Sequence, residues 1–209
     1  MTTEATTHLE STVRLIASTC VENERYFCDL DAVAGDGDFG YSLARGFENV
    51  LAGFDDYDRS DPGTFLQQVA MTMSSRIGGT SGPIWGTAFL RAAGVVKGKD
   101  DLTAEDVVAM LRAAVEGIKK RGGADLGDKT LLDAIVPMTD AIESDAADGR
   151  DGAAIARHAA EVARQAADET SALEARRGRA SYTGERSIGS PDPGAVAVAV
   201  LAERIADEW

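Results

Sequence analysis

"GAVAVAVLAERIADEW", residues 194–209, is the stretch whose reading decides the fold class. Its first half alternates small and branched apolar residues, a pattern that also suits a half-buried strand. Asp192-Pro193 just before it reads as an N-cap followed by proline in the first helical turn. The alanines and the "AERIADEW" continuation favour helix as well. Read as helix, it leaves no convincing strand run in the chain, and the predicted class is all-α.

Working backwards from this segment, helical periodicity recurs throughout. Leu9, Val13, Ile16 and Cys20 fall on one face, as do Leu43, Phe47, Val50 and Phe54. Further stripes run through Phe65, Val69, Met73 and Ile77, then Val107, Leu111, Ala114 and Ile118, then Leu131, Ile135, Met138 and Ile142. Residues 83–97 and the alanine-rich 152–171 also read as helix. Asp61-Pro62, Thr103 with Asp106, and Asp128 are the expected start signals. About eight helices joined by mostly short loops are predicted, all-α and in one domain over residues 1–209.

The composition narrows function. The chain carries 35 acidic residues against 21 basic ones, a net charge of −14. Nucleic-acid binding needs a basic face, so no nucleic-acid partner is expected. "MTTEATTHLE" lacks the basic and apolar regions of a signal peptide, and no apolar run reaches the ~18 residues of a membrane span. A cytoplasmic location without membrane contact is expected. Cys20 and Cys28 form no CxxC pair, and Cys20 continues an apolar stripe.

Four glycine-bearing stretches interrupt the helices: "AGDGDFG" (34–40), "GGTSGP" (78–83), "GGADLGDKT" (122–130) and "GRASYTGERSIGSPDPG" (178–194). The first belongs to "DLDAVAGDGDFG" (29–40), with aspartates at 29, 31, 36 and 38. Carboxylates so close together repel unless a cation lies between them. A hard divalent ion such as Mg²⁺ or Ca²⁺ answers that, and a solvated turn with capping aspartates is the other reading. An EF-hand fails, because the twelfth position counted from Asp36 is Phe47 where a bidentate glutamate belongs. "GGTSGP" runs into a helix, where hydroxyls and free N–H groups can hold phosphate or simply cap. There is no Walker A motif. The last loop, 17 residues long, mixes aromatic, charged and small residues and reads as ordered around something.

Together, "LDAVAGDGDFG", "GGTSGPIWGT", "GDKTLLDAI" and "GRASYTGERSIGSPDPGA" resemble the dihydroxyacetone kinase L-subunit family in order and spacing, over nearly the whole chain. The resemblance implies an eight-helix antiparallel up-and-down barrel or bundle with ADP or ATP and two Mg²⁺ in the loops at one end. By motif it makes Asp31, Asp36 and Asp38 the metal ligands. Phe39, Gly40, Tyr41, Ser42, Thr80 and Ser81 would contact phosphate. Gly122, Leu131, Asp192, Pro193 and Gly194 would surround the base and ribose. Arg179 would face the phosphates, so Arg179 and Asp36 are the implied catalytic residues, with Arg186 a structural partner of the same loop. Phe39 departs from the family, which usually has histidine there.

The resemblance further implies a phosphotransferase. Dihydroxyacetone would be held on a histidine of a separate K subunit, and a phosphocarrier M subunit or free ATP would be the donor. This chain has only His8 and His158, neither in a motif loop. A related ketose such as erythrulose, and a nucleotide-loaded module regulating a partner, are the alternatives.

Overall fold

The computed structural model describes residues 4–76 and 81–209. Its nine α-helices are α1 (Glu4–Glu22), α2 (Glu24–Asp31), α3 (Phe39–Ala52), α4 (Pro62–Arg76), α5 (Ser81–Val96), α6 (Ala104–Gly122), α7 (Leu132–Ala147), α8 (Gly152–Glu169) and α9 (Pro193–Glu208). Short 3₁₀ turns span Phe54–Asp56, Thr170–Ala172 and Arg179–Ser187, and no strand occurs among the described residues. The expected eight helices need one correction. α1 and α3 to α9 each pack on the next, and α9 closes back on α1, so eight helices form the ring. The ninth, α2, is a short extension of α1 beside the start of α3. It is too short and polar to show a stripe.

Local chemistry sets the helix ends. Asp61 accepts hydrogen bonds from the N–H groups of Gly63 and Thr64 at the start of α4, and from Gly98 N–H after α5. One carboxylate thus caps a helix and ties two helix ends together. The Thr64 hydroxyl and the Gly98 N–H, which favour its charged form, hold its carboxyl down to about 2. Thr103 and Asp106 form the expected reciprocal capping box on α6. Asp192 caps α9 through Ala195 N–H, with Pro193 in the first turn. Asp128 does not start α7. That role falls to Asp133, which accepts from the N–H groups of Gly127 and Thr130.

The core has two unlike halves. All six phenylalanines lie in or against one cluster, formed by α1 to α5 with Ala197 and Leu201 of α9, together with Trp85 and Met73. Phe47 meets Trp85 and Phe89 edge-on at 6.5 and 6.3 Å. The other half, between α7, α8 and α9, is built from alanines at 159, 160, 163, 167, 195, 199 and 202 with a few larger residues. Small side chains let these three helices approach closely. α9 is apolar on nearly all sides because α1, α7 and α8 surround it. Cys20 is fully buried, and burial pushes its thiol up. On α6 the expected core residue Val107 is 40% exposed, and its neighbour Val108 is buried instead. Ile77, expected in the α4 stripe, lies outside the described residues.

Candidate functional site

The alternating ring brings the C-termini of α2, α6 and α8 to the same end as the N-termini of α3, α5, α7 and α9. Contacts confirm this. Gly122, closing α6, sits against Ile84 in the first turn of α5. Gly194 in α9 faces Leu131 at the start of α7, where an added Cβ would lie 3.3 Å from the Leu131 Cβ. The Thr170 hydroxyl, just after α8, accepts from Asp192 N–H.

At this end α2 stops at Asp31, and the chain turns through Gly35 and Gly37 before α3 begins. Gly35 N–H donates to the Asp31 carbonyl at 2.6 Å. A Cβ on Gly35 would fall 2.2 Å from an Asp31 carboxylate oxygen, so the turn closes only around a hydrogen atom. Gly37 takes φ 76°, which glycine adopts freely. Folded in this way, Asp31, Asp36 and Asp38 place carboxylate oxygens within 4.8 Å of one another. The fourth aspartate, Asp29, points away along α2 beside Arg25.

Arg179, arriving from the loop between α8 and α9, contacts Asp36 and lies 3.5 Å from Asp38. Three carboxylates facing one guanidinium leave two negative charges unbalanced. Hard oxygen donors at that spacing, two exposed and Asp31 half-buried, fit a divalent cation such as Mg²⁺.

The start of α3 is more occupied than the sequence suggests. Phe39 N–H donates to Asp31 at 3.3 Å, Tyr41 N–H to the Cys28 sulfur at 3.2 Å, and Ser42 N–H to the Asp38 carbonyl at 2.9 Å. Of residues 39 to 42, only Gly40 has an N–H without a partner among the described residues. The Phe39 ring packs on Phe27 at 6.0 Å and faces the core. Phe39 is thereby an apolar anchor for the turn that carries the aspartates. Tyr41 is exposed, with the Arg45 guanidinium 5.3 Å from its ring centre. Ser81 opens α5, whereas Thr80 lies outside the described residues.

Sequence reasoning missed Lys129. It is 4% exposed, has φ 62°, and its ammonium donates to the carbonyls of Leu173, Ser187 and Ser190. Beside it, the buried Asp128 pairs with Arg177 at 3.0 Å, and its carbonyl accepts from Arg176 N–H. The connection between α8 and α9 is therefore ordered around residues 128 and 129. The signal was present in "GDKT", as a lysine flanked by turn residues. Arg186 is exposed and pairs with no carboxylate among the described residues.

Burial pushes the Asp192 carboxyl up to about 7; the Ala195 N–H opposes this, the nearby Asp133 adds to it, and Lys129 opposes it. The folded chain thus holds a proton that the unfolded chain releases near pH 4. The resulting stability is complete below about pH 4, declines as pH rises, and is lost above about pH 7. Asp192→Asn keeps an oxygen to cap α9 but cannot titrate. Its melting temperature should fall less than the wild type's between pH 4 and 8, and should be the higher of the two at pH 8. Parallel slopes in thermal melts across that range would contradict the assignment.

Comparison with known proteins follows this geometry. The chain is 38% identical over 181 residues to the PEP-dependent dihydroxyacetone kinase ADP-binding subunit DhaL of Escherichia coli K12, covering 87% of this chain and 86% of that one. It is also 38% identical over 206 residues to the L-erythrulose 1-kinase of Mycolicibacterium smegmatis, covering 98% of this chain and 36% of that protein. The fold matches the dihydroxyacetone kinase of C. freundii, solved with AMP-PNP and Mg²⁺, at a TM-score of 0.76 and 23% identity, over 97% of this chain and 34% of that one. Residues 33–207 match the DAK2 domain. A closed helical ring with aspartates gathered at one end is thus the form taken here by a known family, and the chain belongs to the DAK2 domain family.

Proposed function

We propose that this chain is the ADP- or ATP-binding component of a dihydroxyacetone kinase. In this reading it passes a phosphoryl group to dihydroxyacetone held on a separate K subunit, in the cytoplasm, with a phosphocarrier M subunit as the donor. The observation that carries the reading is the convergence of Asp31, Asp36, Asp38 and Arg179 at the loop end of the ring. The relatives that share the sequence over most of their length are ADP-binding subunits.

In this reading the three aspartates hold two Mg²⁺, which when bound would neutralise the phosphate chain. Arg179 sits on a loop and reaches across to the same carboxylates, where its planar guanidinium can bind phosphate oxygens in pairs. The free Gly40 N–H and the Ser42 and Ser81 hydroxyls supply further donors at helix starts, where the helix dipole favours anions. In this reading Gly122, Leu131, Asp192, Pro193 and Gly194 surround the base and ribose, which the close approach of Gly194 to Leu131 supports. In this reading neither histidine of the chain is a nucleophile. His158 is held by Asp145 at 2.7 Å in the far half of α8, and His8 lies in the first half of α1. Catalysis here is positioning and charge stabilisation, and the acceptor comes from the partner.

Calorimetry with ADP and ATP, with and without Mg²⁺, tests the first half of this reading. Binding that requires Mg²⁺ is expected, and its absence for both nucleotides would sink the assignment. Adding a dihydroxyacetone-loaded K subunit and either ATP or a phosphorylated carrier tests transfer and identifies the donor. The 38% identity to an L-erythrulose 1-kinase favours a second substrate, so the same assay run with erythrulose decides between the ketoses. Nucleotide binding without transfer from either donor would leave the regulatory-module reading.

A further inference from the structure

The loop between α8 and α9 has a narrow neck. Its incoming leg passes Leu173 and its outgoing leg passes Ser187 and Ser190. The Lys129 ammonium sits between them, 3.1 Å from the Leu173 carbonyl, 2.5 Å from that of Ser187 and 2.7 Å from that of Ser190. An ammonium has three N–H donors, and all three are used. The legs also touch directly, through Ala175 N–H to the Ser187 hydroxyl and Gly189 N–H to the Ser171 carbonyl. Arg179 lies beyond this neck, on the part of the loop that reaches the aspartates.

The backbone at Lys129 strengthens the case. It is the only non-glycine residue with positive φ among the described residues. Glycine would sit there without strain, and a side chain is disfavoured there. A lysine kept in such a position, and buried, calls for a compensating role. The three carbonyls supply it, because without the ammonium the buried Ser187 carbonyl and the partly buried carbonyls of Leu173 and Ser190 would lack this donor.

We propose that Lys129 is a positioning residue, whose ammonium clamps the loop neck and so holds Arg179 against Asp36 and Asp38. The proposal rests on the reading of that cluster as a nucleotide site, and its test separates the two. Lys129→Met keeps the length and removes the donors; Lys129→Arg keeps the charge. Native trypsin digestion of the full chain reports on the loop directly, since Arg176, Arg177, Arg179 and Arg186 all lie in it. The Met variant should be cut at these arginines at least about tenfold faster than wild type while its helical circular dichroism is unchanged. It should also bind Mg·ADP about tenfold more weakly, with the Arg variant in between. In an Arg179→Ala background, Lys129→Met should cause no further loss of nucleotide affinity.

Loop cleavage at the wild-type rate would overturn the clamp, and so would losses that simply add in the double variant. A Met variant without helical signal would make Lys129 a general staple of the fold and overturn the proposal as well. Should the wild type bind no Mg·ADP, the nucleotide reading fails on its own, and the cleavage rates still decide whether the clamp exists.

Discussion

Asp36→Ala is expected to abolish Mg²⁺-dependent nucleotide binding while leaving the fold intact. Asp36 occupies the middle of the cluster in sequence and is the carboxylate that Arg179 contacts. Removing it takes away one of three hard oxygen donors and frees the guanidinium, so metal and phosphate contacts both suffer. A loss of at least about 100-fold in Mg·ADP affinity, roughly 2.7 kcal/mol, is the expected scale. The Asp36 side chain is 35% exposed and belongs to no core cluster. Melting of the ligand-free chain should therefore shift by no more than about 1 kcal/mol in stability. Asp29→Ala is the matched control, because Asp29 shares the acidic stretch but faces Arg25 on the surface of α2. If Asp36→Ala bound Mg·ADP as wild type does, the aspartates would be capping residues of a solvated turn. Equal losses in both variants would mean that net charge, not ligand geometry, governs binding.

The parts of this site that the sequence reveals are those that depend on local chemistry. Apolar stripes at helical spacing mark the ring, and turn residues between them mark the loop end. Even the ambiguous α9 resolves, because Asp192-Pro193 announces a helix start. Its alternation misleads only because α9 is enclosed on several sides and can be apolar nearly all round. What stays hidden depends on contacts across the chain. α2 has no stripe because eight residues, half of them charged, bury only Phe27. Lys129 looks like any surface lysine until the loop 44 to 61 residues away folds over it. Phe39 reads as a lost imidazole, yet its ring contributes packing against Phe27 and its N–H is already given to Asp31. The resemblance supplied a role for Gly40 as a phosphate contact. The packing gives that glycine a second and more stringent duty.

Gly40→Ala should be the most damaging single-methyl change in the site. A Cβ at residue 40 would lie 2.0 Å from the Glu24 carbonyl oxygen, 2.7 Å from the Cys28 nitrogen and 3.0 Å from its sulfur. The first two are backbone atoms of α2, so no rotamer change relieves the clash. Either α2 or α3 must shift by about 1 Å or more. Overpacking of this kind costs on the order of 3 kcal/mol, a fall of roughly 6–12 °C in melting temperature for a chain of this size. The shift also has a direction that matters for function. Asp31 ends α2 and Asp38 precedes α3, so separating these helices pulls two of the proposed metal ligands apart. Mn²⁺ affinity, read by electron paramagnetic resonance at a temperature where the variant is fully folded, should therefore fall as well. Gly94→Ala provides the internal comparison, since Gly94 lies within α5 with nothing inside 4 Å of its added Cβ. There alanine should stabilise by roughly 0.5–1 kcal/mol through helix propensity alone. A Gly40→Ala variant that melts within about 2 °C of wild type would refute the close α2–α3 approach. A variant that melts early but binds Mn²⁺ normally would show that the aspartate cluster does not depend on it.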